Sequence, residues 1–130
     1  MTTTGTSFAA GTDILGATPL SFTAVAGFIY RIRVSAPYWN NSTSANTSYV
    51  NLNVDGADQG TIAILSQVTG AYNQPLEAST LLTAAAGAHT VNARVYVNGG
   101  TATIGANVGG AGTGRPLSVS IEAIPTSVGQ

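Results

Sequence analysis

Few residues in this chain could do chemistry. His89 is the single histidine among 130 residues, and there is no cysteine. A histidine acts as a general base when a hydroxyl nucleophile and an orienting carboxylate converge on it. His89, however, follows Ala-Ala-Gly-Ala at a turn-to-strand junction, and no G-x-S-x-G elbow occurs. A structural or solvated histidine is the stronger reading. A three-fold ring of His89 at a trimer axis could hold a metal, but one chain has no His/Cys set for a transition metal. The acids are Asp13, Asp55, Asp58, Glu77 and Glu122. Asp55 and Asp58, in DGADQG, offer only a pair of carboxylates. Calcium takes about six to eight oxygens, so a turn is favoured. Glu77 and Glu122 lie 45 positions apart, and nothing in the sequence brings them to one cleft as a glycosidase requires. The glycine-rich stretch GANVGGAGTG, residues 105–114, does not align with G-x-G-x-x-G, and the chain has no lysine for a Walker loop. The expectation is no enzymatic activity, no metal and no cofactor.

Charge narrows the partners further. Charged residues make up 7% of the chain, against roughly 25% in an ordinary soluble domain. The bases are Arg31, Arg33, Arg94 and Arg115, and net charge is −1. That leaves no basic footprint for nucleic acid and no polybasic membrane patch. No window approaches the ~20 apolar residues of a membrane span. The start, MTTTGTSFAAGTD, lacks the basic opening and apolar core of a secretory signal, so the chain is expected to be made in the cytoplasm and to stay soluble. Two compatible sources explain the low charge. One is a GC-rich genome that favours Ala, Gly, Thr and Arg over Lys; the other is a surface largely covered by partners.

Binding chemistry concentrates in APYWNNSTSANTS, residues 36–48, which reads as a long polar loop holding the only tryptophan. Tyr38, Trp39, Asn40 and Asn41, with Tyr49 beside them, combine apolar area with polar handles, as a glycan- or partner-binding surface does. The alternative is that Trp39 plugs one end of the core. Arg31 and Arg33 could pair with acids of a neighbour or face solvent.

The elements that must carry these residues are strands. Helical i, i+3, i+4 spacing is absent, and 16 glycines are spread along the chain. In FIYRIRVS, Phe28, Tyr30, Ile32 and Val34 share one face, opposite Ile29, Arg31, Arg33 and Ser35. TSYVNLNV puts Val50, Leu52 and Val54 against Tyr49, Asn51 and Asn53. HTVNARVYV sets Val91, Ala93, Val95 and Val97 apart from Asn92, Arg94 and Tyr96. LSVSIEAI alternates likewise. Weaker strands are predicted at TDIL, PLSFTAV, TIAILSQV, LEASTLLT and TATIGA, and Asp55-Gly56 and Asn98-Gly99 suit tight turns with positive φ. About nine short strands at spacings of roughly 8 to 12 residues predict an all-β antiparallel sandwich or barrel. Residues 1–11 read as an extended N-terminal arm, and residues 12–130 as one β-sandwich domain.

The segment LLTAAAGAHTVNARVYVNGGTATI and the later PLSVSIEAI resemble the C-terminal half of many tailed-bacteriophage virion proteins. The matching residues are Leu82, Thr83, Gly87, His89, Thr90, Val91, Gly100, Thr101, Ala102, Thr103 and Ile104, then Val119, Ile121, Glu122 and Ile124. Extra alanines at 84–86 depart from the pattern, and the likeness spans roughly residues 81–124. The resemblance implies a jelly-roll sandwich of the tumour-necrosis-factor or C1q type, of about eight to ten strands, usually trimeric, in a structural virion protein. The most similar role is a capsid decoration (cement) protein: a homotrimer on the capsid exterior that binds the major capsid protein and stabilises the shell. On that reading Thr3, Thr4, Thr6, Phe8, Ile14 and Leu15 contact the capsid. The alternative is a receptor- or glycan-binding head-fibre or tail-tip module using Tyr38, Trp39, Asn40 and Asn41.

Overall fold

The computed structural model describes residues 1–43, 45–66, 74–105 and 117–126, which form strands and no helix. In chain order these are β1 (Thr2–Thr3), β2 (Thr12–Asp13), β3 (Leu20–Ala24), β4 (Phe28–Asn41), β5 (Thr47–Val54), β6 (Ala57–Ser66), β7 (Gln74–Leu82), β8 (Gly87–Val97), β9 (Ala102–Gly105) and β10 (Ser118–Pro125). Every pairing is antiparallel. In sheet I the long strand β4 is central, with β7 along one side. Along its other side lie β10 and then β9, and β9 carries β1. Sheet II runs β6-β5-β8, and β3 and β2 follow one another along the far side of β8. The chain passes repeatedly from one sheet to the other, which makes the whole a jelly-roll-like sandwich.

The alternating positions build the core between the sheets. Ile32, Val34, Val50, Val91, Ala93, Val95 and Val97 are fully buried, and Leu52 and Val54 nearly so. Burying each Val, Leu or Ile side chain contributes about 1.5–3 kcal/mol, so these inward rows dominate the stability. Asp55 and Gly56 both take positive φ, 52° and 82°, which is the two-residue turn that a right-twisted hairpin needs. The turn joins β5 to β6. Ala57–Gly60 therefore belongs to β6 rather than to a longer loop.

Two expectations are corrected. The polar loop proposed for residues 36–48 is instead strand as far as Asn41. A register shift between Ala36 and Trp39 lies where β4 leaves β10 and begins to pair with β9. Pro37 occupies this bulge, where a residue without an N–H is tolerated. The bulge sets the buried positions at Ala36 and Trp39, three apart instead of two.

The extended arm is the second correction. Thr2 and Thr3 form β1 against Thr103 and Ala102, and Gly5 accepts a hydrogen bond from the Val97 amide. Residues 5–11 then fold on themselves, the amides of Ala10 and Gly11 donating to the carbonyls of Ser7 and Phe8. A Cβ on Gly5 would lie 2.0 Å from the Ala10 carbonyl oxygen, so the loop closes only around glycine. The segment next enters sheet II as β2. It is a strap from one sheet to the other, and its threonines suit the strand conformation.

Candidate functional site

His89 is the third residue of β8, and Asp55 sits at the first position of the β5–β6 turn. The ring Nδ1 lies 2.7 Å from Asp55 Oδ2, the pairing a catalytic histidine would use. The other nitrogen, Nε2, lies 2.8 Å from the Ala85 carbonyl oxygen rather than a hydroxyl. The position a nucleophile would need is thus filled by backbone. Asp55 also accepts hydrogen bonds from the amide and hydroxyl of Thr90. Its hydrogen bond with His89 and those from Thr90 hold its carboxyl below the usual range, while the Asp55 bond, helped by Ala85, pushes the His89 pKa up. His89 also packs beside Phe22, with ring centroids 5.6 Å apart.

The remaining acids are bound by neighbours of their own. Asp58 accepts two hydrogen bonds from the Asn51 side-chain amide and another from the Gly60 amide, while Thr61 donates to the Asn51 oxygen. This ties the irregular β5–β6 pairing together and leaves the carboxylate engaged. No group of three or more His, Cys, Asp or Glu residues arranged for a metal ion occurs among the described residues. Glu77 accepts from the Ser35 hydroxyl at 2.7 Å, and Glu122 pairs with Arg31 at 3.1 Å. Ser35 and Arg31 are four positions apart on β4, and their glutamates flank it from opposite sides. Standard strand geometry separates the two carboxylates by about 16 Å, well beyond the ~5–9.5 Å of a glycosidase pair.

A denser polar cluster lies on the outer face of sheet II, under the strap. Cross-strand pairing sets Asn51 beside Arg94 and Asn53 beside Asn92. Arg94 donates from Nε and Nη2 to the two oxygens of Asp13, at 2.8 and 2.7 Å, and Asn53 donates to Asp13 as well. Burial pushes the Asp13 carboxyl up, but the Arg94 and Asn53 hydrogen bonds and the guanidinium charge outweigh it and hold it below the ordinary range. Asn92 accepts from the Leu15 amide and donates to the Gly16 carbonyl, and Arg94 lies over the Phe8 ring at 4.8 Å. The cluster clips the strap to the sandwich. Its polar groups are paired with one another, except the Asn53 oxygen, which is buried without a partner among the described residues.

The sequence singled out two surfaces, and they fare differently. Thr3 and Ile14 are buried, and Phe8 and Leu15 half-buried, so only Thr4 and Thr6 stand exposed. Trp39 is 0% exposed and Asn41 is buried with it, whereas Tyr38, Asn40 and Tyr49 are half-buried. Tyr49 stacks on Tyr96, its cross-strand neighbour, with centroids 5.0 Å apart. The predicted cluster is therefore split: the tryptophan belongs to the core, and a tyrosine pair remains accessible. The glycine-rich stretch lies outside the described residues from Ala106 onward, and Arg115 with it.

A further surface was not foreseen. Between β3 and β10, edge strands of opposite sheets, runs an apolar groove of about 370 Å³ lined by Leu20, Phe22, Tyr30, Ile121 and Ala123, with Ser21 and Thr23. No charged side chain lines it. Alternation alone could have placed these residues on inward faces, but not at a margin where the sheets part. No family model, curated protein or solved structure matches the chain. The class is therefore defined by the fold and its surfaces: an all-β jelly-roll-like sandwich with its acids engaged internally.

Proposed function

We propose that this chain is a structural assembly subunit, and specifically a capsid decoration protein of a tailed phage. In this reading it binds the major capsid protein on the outside of the head as a homotrimer. One observation carries the proposal. All five acids have hydrogen-bonding partners within the chain, and with charged residues at 7% most of the remaining surface falls to Thr, Ser, Asn, Gly and Ala. Such a surface suits close, permanent packing better than electrostatically steered encounters. The apolar β3–β10 groove supports self-association, since two sheet edges and a row of core-type side chains meet there. Many weak contacts repeated over a shell would make the docking effectively permanent. Enzymatic activity finds no support in a histidine whose second nitrogen is capped by a carbonyl. The resemblance over residues 81–124 supplies the phage setting.

The test is the copy number of the chain in purified particles, relative to the major capsid protein. Near one copy per capsid subunit is expected. A handful in multiples of three would move the chain to a fibre or tail tip, where the Tyr49–Tyr96 pair is the aromatic platform left for a glycan. Absence from particles would overturn the virion reading.

A further inference from the structure

His89 is held from two sides, and both partners only accept. An ionised carboxylate has no proton to give, and neither has a backbone carbonyl. A neutral imidazole carries one N–H and can satisfy one of them; the imidazolium has two and satisfies both. The Asp55 carboxylate is fixed in its acceptor role, because its other oxygen takes the Thr90 amide at 2.7 Å and the Thr90 hydroxyl at 3.2 Å. We infer that His89 is a proton-dependent latch, its imidazolium tying the turn at residues 84–86 to the Asp55-Gly56 turn and its deprotonation releasing the first of these.

The surroundings leave the proton little else to answer to. The shallow cavity around the ring is lined by Ser21, Phe22 and Thr23 of β3, by Ala88 and Thr90 of β8, and by Asp55. Asp55 is the one charged group among them. Tyr30 packs against Phe22, at 4.8 Å, and its hydroxyl accepts from the Val25 amide. When the proton leaves, Nδ1–H keeps the stronger, charge-assisted bond to Asp55. The Nε2 lone pair then faces the lone pairs of the Ala85 oxygen, 2.8 Å away. That contact is repulsive, and the turn must swing off. Gly87, with φ of 139°, is the hinge next to it, a backbone state that L side chains rarely adopt.

The sign follows from the raised His89 pKa. The latch is closed below the folded-state value, which lies above the ordinary histidine value of 6.5, and opens as pH rises through it; its contribution to stability is complete below 6.5. At the acid end it loosens again as Asp55 is protonated, below the usual carboxylate range. NMR titration of the whole chain tests this. The His89 ring resonances are expected to titrate with a midpoint above 6.5, and the amides of Ala84, Ala85 and Ala86 to shift through the same midpoint. In Asp55→Asn the midpoint should fall. His89→Gln, which cannot titrate, should leave the turn amides unresponsive over the same range. A midpoint at or below the ordinary value, or turn amides indifferent to it in the unmodified chain, would overturn the latch. Neither result bears on particle copy number, so the inference stands or falls apart from the proposed function.

Discussion

Replacing Arg94 by methionine removes the guanidinium while keeping the apolar stem. Asp13 would be left with Asn53 as its side-chain donor, under a strap that exposes only 19% of the Asp13 side chain and 22% of that of Arg94. Stranding one member of a fully buried pair costs about 3–5 kcal/mol, and solvent screening of a pair this close to the surface lowers that to about 2–3 kcal/mol. Loss of the cation over the Phe8 ring adds about 0.5–1 kcal/mol. The sum, about 3 kcal/mol, corresponds to a Tm lower by about 10 °C for a domain of this size. Urea unfolding followed by Trp39 fluorescence would measure it, since the single tryptophan is buried in the core. Hydrogen exchange adds a local reading. The amides of Ile14 and Leu15, bonded to the Ala93 carbonyl and the Asn92 side chain, should lose protection first. Combining Arg94→Met with Asp13→Asn should recover part of the loss, a coupling of about 1–3 kcal/mol. The unmodified protein should also lose stability on acidification. Asp13 has a depressed pKa, so its contribution is complete above the ordinary value of 3.8 and is lost as pH falls through the lower folded value. Single effects that add within about 0.5 kcal/mol, with strap amides unchanged, would refute the reasoning.

Two further substitutions probe the corrected segments. Gly5→Ala places a Cβ 2.0 Å from the Ala10 carbonyl, so the loop must open. A loss of roughly 1–3 kcal/mol is expected, with faster exchange at the Val97 amide that Gly5 accepts; a neutral Tm would mean the loop does not close as described. Trp39→Ala empties a site that is 0% exposed, and calorimetry should find about 3–5 kcal/mol lost. A change under about 1 kcal/mol would instead fit a tryptophan lying on the surface.

Strand alternation made most of the sandwich legible, because a period of two survives wherever one face is buried. Val91, Ala93, Val95 and Val97 illustrate it: all are buried as expected. Alternation failed where it was interrupted. The bulge at Pro37 puts Ala36 and Trp39 on the same side, so by sequence the end of β4 reads as a polar loop; of the two readings open for Trp39, the structure has the core plug. The strap was missed for another reason. Thr, Ser and Gly carry no apolar period, and their strand state depends on partners such as Thr103 and Val95. The ion pairs were invisible because they join residues far apart in the chain: Asp13 meets Arg94 and Asp55 meets His89 through register alone. Asn51, Asn53 and Asn92 were placed on the outer face correctly, yet all three are buried there. Nothing local could announce that the strap would bind Asn53 and Asn92, or that Asp58 and Thr61 of β6 would engage Asn51.

The pairing order has a consequence for synthesis on the ribosome. Among the described elements, β5 and β6 alone are joined as a hairpin, through Asp55-Gly56. Strand β3 waits for β8, β4 waits for β7, β9 and β10, and β1 waits for β9. The emerging chain can form one hairpin early; β4 finds β7 only once Leu82 has appeared, β2, β3 and β5 find β8 only by Val97, and β9 and β10 come last. Topologies dominated by such distant pairings fold slowly, on the order of milliseconds to seconds. The longest strand to wait is β4, whose opening run FIYRIRVS is rich in aromatic and β-branched residues. Two of the chain's four arginines, Arg31 and Arg33, fall inside it. Charges so placed interrupt aggregation of an unpaired apolar strand, which gives these arginines work to do before the native sheet exists.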